Sequence, residues 1–175
     1  MKKIVITFGL ISGVIAAALM WLLVTLLLSK ALDFDYGEIF GYATMIVALS
    51  MVFFGVKSYR DNNGGHIGFW KAVQVGVLIS LVSAVCYAAS WELYYPTKGG
   101  EFLQQYTSHY IEKMKQEGTP PEEIEATSKE MDGFVEMYKN PVIRIAMTLM
   151  EILPVGIIVS FICAALLRRK ELLQA

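Results

Sequence analysis

Glu151 is the only charged residue in the apolar stretch from Ile145 to Leu167. Counted from Pro141, where the fourth span begins, it lies about ten residues in, roughly 15 Å at about 1.5 Å per residue and near the midplane of a bilayer. An ionised acid there costs on the order of 2.5 to 3.5 kcal/mol, so its side chain must face a bundle interior or water, or carry a proton. Pro154, three residues on, cannot donate to the carbonyl of Met150 and is a site for a kink. Ser80, Ser83 and Ser50 occupy similar depth in two other apolar stretches and are candidate hydrogen-bond partners. Two chemistries follow: a proton or cation relay, or a protonated acid bonded between helices. The latter is favoured because no second ionisable residue accompanies Glu151 in the apolar runs.

Arg144 precedes Glu151 by seven residues, on nearly the same helical face but two turns away. Its side chain points back along the helix and can snorkel to the interface, where Glu38 or Glu92 would meet it. A structural ion pair is the first reading of Arg144, Glu38 and Glu92, and a site for an anionic lipid headgroup the second. The segment from Lys57 to Lys71 joins basic residues to Gly64-Gly65, but it lacks the Gly-Lys-Ser/Thr ending of a phosphate-binding loop. It reads as a tight loop at the headgroups, with His66 exposed. No nucleophile elbow, kinase set or carboxylate pair is recognisable, so no enzymatic activity and no cofactor are expected. Cys86 and Cys163 fall at different depths and suggest neither a disulfide nor a metal site.

The elements that must position these residues are membrane spans. Apolar residues make up 55% of the 175, an excess that a soluble domain of this size does not bury. Ile4 to Leu28, Ile39 to Val56, Ala72 to Trp91 and Ile145 to Leu167 are each long enough to cross about 30 Å of hydrocarbon as a helix. The last span is taken to run from about residue 143 to 167. Long runs without strand-like alternation argue against a barrel. Formal net charge is -1, leaving no global basic field for nucleic acid. Lys2, Lys3, Lys57, Arg60, Lys71, Arg168, Arg169 and Lys170 cluster on one set of connections, and acids fill the other, which puts both termini in the cytoplasm of a bacterial inner-membrane protein. The first run exceeds a signal peptide's apolar region, so it is expected to remain as a span.

Small residues recur every fourth position as Gly9, Gly13 and Ala17, as Gly76, Ser80, Ala84 and Ala88, and as Gly156, Ser160 and Ala164. Such stripes let backbones approach, either within one chain or across a homodimer. Trp91, Tyr94 and Tyr95 are expected as interfacial anchors. Between the third and fourth spans, residues 97–140 read as an extracytoplasmic helical hairpin. Phe102, Tyr106, Tyr110 and Met114 mark one apolar face, and Ile124, Met131, Phe134, Val135 and Tyr138 the other. Gly118 ends the first helix, and Thr119 with Glu122 has the form of a capping box for the second. Its many acids follow no calcium-loop spacing and read as a solvated face.

Gly37-Glu38-Ile39-Phe40-Gly41-Tyr42, the run from Val56-Lys57 through Tyr59-Arg60-Asp61 to Gly64-Gly65, and Phe69 with Lys71 and Ala72 resemble the uncharacterised bacterial membrane family catalogued as domain of unknown function 4199. The resemblance implies an integral membrane protein and transfers no catalytic residue. The expected fold is therefore an all-α, four-helix transmembrane bundle with the hairpin appended. The expected role is non-enzymatic, engaging lipid, a membrane partner or a second copy. A small oligomeric transporter or channel with Glu151 in a polar path is the alternative.

Overall fold

The computed structural model describes residues 1–168; Arg169 and Lys170 lie outside them. Six helices follow in order: α1 Lys2–Leu28, α2 Gly37–Asp61, α3 Phe69–Tyr94, α4 Gly100–Gln116, α5 Pro121–Tyr138 and α6 Pro141–Leu167. A 3₁₀ turn at Phe34–Tyr36 leads into α2, and a π-helical turn at Tyr95–Gly99 joins α3 to α4. Four of the helical stretches, containing α1, α2, α3 and α6, are long and apolar enough to cross a membrane. The protein is accordingly a multi-pass, all-α membrane protein.

α3 is the central helix, packed against α6 and α1, while α2 lies against α1 and touches α6 and α3. The small residues make this closeness possible. Gly76 faces Ser160 and Gly156 faces Ser80, so that an added Cβ would lie 2.8 Å and 2.6 Å from the facing serine Cβ. Gly9 and Gly13 of α1 meet Val82 and Cys86 of α3 in the same way. These contacts account for the glycines of all three stripes within one chain. Leu49, Val52, Val56, Val75, Ile79 and Ile152 fill the resulting core and are essentially fully buried.

That core occupies the half of the bundle nearer the chain termini. Every buried residue of α2 falls at Met45 or beyond, and the first two turns of this helix bury none. α2 thus leaves the bundle open at the end where α4 and α5 sit. A second cluster of Met20, Val24 and Trp91, with Tyr87, Tyr95, Phe102 and Tyr138 packed on it, fills part of that opening. Trp91 is 6% exposed, so it is a core residue and not the interfacial anchor its position in the sequence suggested.

α4 and α5 form a helix pair whose mutual burial is thin. Leu103 is the only buried residue of α4, and α5 has none. The pair is held instead by α4 leaning on α1 and by α5 meeting α6. Gly118 adopts a φ of 76° and closes α4, with the Thr119 N–H donating to the Met114 carbonyl at 3.1 Å. The expected capping box does not form. α5 starts at Pro121 with Pro120 as its cap and no side-chain cap bond, because Pro121 occupies the first turn, where a missing N–H costs nothing.

Candidate functional site

The serines expected around Glu151 are engaged elsewhere. Ser80 donates to the Gly156 carbonyl at 3.2 Å, and Ser160 donates to the same carbonyl at 2.7 Å. Ser83 pairs with Ser12 at 2.9 Å, and Ser12 donates to the Ala48 carbonyl at 2.8 Å. Ser50 is exposed and turns back to its own helix, donating to the Val47 carbonyl at 2.6 Å. Ser80 faces α6 but sits opposite Gly156, five residues and so about 7.5 Å beyond Glu151 along the helix, while Ser83 turns to α1 and Ser50 to the surface. Ser80 and Ser83 stitch helices together at close approach, and none of the three serines bonds Glu151.

Glu151 instead lines a cavity of about 310 Å³ in the opening left by α2. α1 contributes Met20, Leu23, Val24 and Leu27; α2 contributes Gly37, Glu38, Gly41, Tyr42, Thr44 and Met45; α3 contributes Tyr87 and Trp91. Phe34, Phe102 and Tyr106 border it from the 3₁₀ turn and from α4. Its walls are predominantly apolar, its two acids are Glu38 and Glu151, and its volume falls in the range of about 300 to 1,000 Å³ typical of small-ligand sites. The two glycines matter to its shape. A Cβ at Gly41 would meet nothing within 4 Å, and one at Gly37 would touch only the Leu27 methyls, at 3.8 and 3.9 Å. One turn apart on α2, they hollow the wall beside Glu38.

Glu38 is thereby separated from the outer ion pair in which it was a candidate. Arg144 pairs with Glu92 alone: Nε donates to Oε1 at 2.6 Å and Nη2 to Oε2 at 2.5 Å. Nη1 donates to the Tyr138 carbonyl at 3.0 Å and reaches the Lys139 carbonyl at 3.4 Å, satisfying groups left open by the end of α5. The guanidinium also lies 3.7 Å from the centroid of the Tyr95 ring. Arg144 and Glu92 are 6% and 22% exposed at the side chain, and the guanidinium makes four hydrogen bonds within the protein. This joint ties α3, α5 and α6 together; the bidentate geometry is that of a structural pair. Tyr138, beside it, has its phenol pushed above the ordinary range, chiefly by burial.

A third group of polar residues was not read from the sequence. His109 of α4 meets Asp35 at 3.1 Å and Asp33 at 3.7 Å, and Lys113 donates to Asp35 at 2.7 Å. His109 follows Asp35 by 74 residues, and only the docking of α4 brings them together.

The model of the family described as protein of unknown function DUF4199 matches residues 7–169. The chain belongs to the DUF4199 family. Neither a curated protein nor a solved structure matches it. One of the stretches by which the sequence resembles DUF4199 members, Gly37 to Tyr42, supplies four of the cavity's lining residues.

Proposed function

We propose that the protein is a non-enzymatic integral membrane protein that takes up an amphiphile with an apolar chain and an ammonium head in the cavity between α1, α2, α3 and α6. The observation that carries this reading is the composition of the wall, in which Glu38 and Glu151 are the only ionisable carboxylates among aliphatic and aromatic side chains. An ammonium group offsets the cost of an acid held in an apolar setting, while the chain replaces water against Met20, Val24 and Met45. The open side of α2 gives such a molecule a route from the bilayer. The sorted basic residues support an orientation with the termini in the cytoplasm and the cavity mouth, with α4 and α5, on the opposite face of a bacterial inner membrane.

Native mass spectrometry of the protein released from micelles tests this reading. A long-chain alkylammonium should bind with one-to-one stoichiometry in preference to the alcohol of equal chain length, and Glu38→Gln with Glu151→Gln should abolish the preference. Equal binding of amine and alcohol by the unaltered protein would refute it.

A transporter is the second reading, favoured by Glu151 lying near the bilayer midplane within the same cavity. The packing of Leu49, Val52, Ile79 and Ile152 beyond it supports binding over passage. Flux of the alkylammonium into proteoliposomes, lost in Glu151→Gln, would establish the transporter instead.

A further inference from the structure

We propose that Asp33, Asp35 and His109 form a binding site for a divalent transition-metal ion of the zinc class, joining the α1–α2 connection to α4. The local sequence builds two thirds of it. In Asp33-Phe34-Asp35 the carboxylate of Asp33 accepts the backbone N–H of Asp35 at 2.9 Å, which fixes the 3₁₀ turn and sets both acids on its outer side. Phe34, between them, turns inward onto α4, with its ring centroid 5.9 Å from Phe102, 6.3 Å from Tyr106 and 5.6 Å from His109. This aromatic contact anchors the turn and orients the imidazole, so the three donors converge through packing and not through their own attraction alone.

The resulting distances suit a metal. One donor atom from each of the three residues falls in a group spanning no more than 4.8 Å. Tetrahedral zinc with bonds of about 2.0 to 2.1 Å holds its ligand atoms roughly 3.3 Å apart. His109 Nε2 lies 3.1 Å from Asp35 Oδ1 and 3.7 Å from Asp33 Oδ1, which bracket that spacing. One imidazole nitrogen with two carboxylates is a donor set that zinc and its neighbours accept. Water would complete the coordination, or Glu112, which lines the same recess as Asp33 and His109.

Lys113 supplies the competing cation. Its ammonium sits 2.7 Å from the same Asp35 oxygen and must withdraw when a metal enters. That competition separates a metal site from a simple ion-pair cluster, because removing Lys113 weakens the latter and strengthens the former. A bound ion would also fix Phe34, Phe102 and Tyr106 over the neighbouring cavity, although the site stands whether or not that cavity binds an amphiphile.

The test is zinc titration of the purified full-length protein, its affinity tag removed, against a chelating dye, with thermal unfolding followed in parallel. The unaltered protein should bind one equivalent of Zn²⁺ and unfold at higher temperature with it. His109→Ala and Asp33→Asn should each weaken binding at least tenfold. Lys113→Gln should tighten it by about tenfold, a gain that misfolding cannot produce. No stoichiometric binding, or binding unchanged in His109→Ala and Asp33→Asn, would overturn the proposal. So would a Lys113→Gln protein that binds zinc no better than its parent.

Discussion

Replacing Arg144 by glutamine should be among the most destabilising polar substitutions in this protein. The change removes a bidentate pair with Glu92, two bonds to the end of α5 and the stacking on Tyr95, all at a side chain 6% exposed. Breaking one half of a buried pair costs about 3 to 5 kcal/mol, mostly from the charge left behind. Glu92 retains 22% exposure, so water relieves part of that cost and the loss should fall near 3 kcal/mol. Glu92→Gln should cost less, about 1 to 2 kcal/mol, because Arg144 keeps its two carbonyls and the Tyr95 ring. The double variant should cost less than the sum of the two by at least about 1.5 kcal/mol, since neither residual charge is stranded. Unfolding of the single and double variants in mixed micelles gives this cycle directly. A coupling below about 0.5 kcal/mol, as found for exposed pairs, would refute the view that Arg144 and Glu92 form a buried joint.

Three further outcomes follow. Gly156→Val should destabilise the bundle by about 1 to 3 kcal/mol through overpacking against Ser80, whereas Gly41→Ala, with open space at its Cβ, should leave unfolding in micelles nearly unchanged. The carboxyl of Asp35 is held below the ordinary aspartate range, first by the hydrogen bond from Lys113 and then by that from His109. Its stabilising contribution is therefore complete above about pH 4 and is lost as pH falls through the depressed folded value. Protease protection of α4 should decline on that acid limb, and in Asp35→Asn it should be lower at neutral pH without the decline. Single cysteines placed at His66 and at Glu117, in a background lacking Cys86 and Cys163, should react with an impermeant maleimide in intact cells only at position 117. Labelling at position 66 would invert the topology proposed here.

How much of this was legible in the sequence depended on the kind of constraint. Span length, the stripes of small residues and the all-α class follow from one-dimensional patterns, and the structure has them. Pairing of Arg144 with Glu92 was one of two alternatives, because depth alone placed both Glu38 and Glu92 within reach; the turn of α2 away from the bundle decided between them. The serines were misassigned for two reasons: Ser83 faces α1, and Ser80 faces α6 but at the level of Gly156, more than a turn beyond Glu151. Gly37 and Gly41, one turn apart at the start of α2, were the available sign of a hollowed wall. Nothing local could join Asp35 to His109, whose contact depends on how α4 folds back over the bundle.

If the opening beside α2 holds a chain-bearing cation, Trp91 will report on it from the cavity wall. Trp21→Phe and Trp70→Phe leave Trp91 as the only indole, since the chain has three tryptophans. In nanodiscs, an alkylammonium brominated along its chain should quench Trp91 fluorescence saturably, and Gly41→Phe, which fills the cavity from α2, should abolish the saturable component. Quenching that rises linearly with probe concentration and is the same in Gly41→Phe would show that the probe reaches Trp91 only from bulk lipid and that the opening holds no chain.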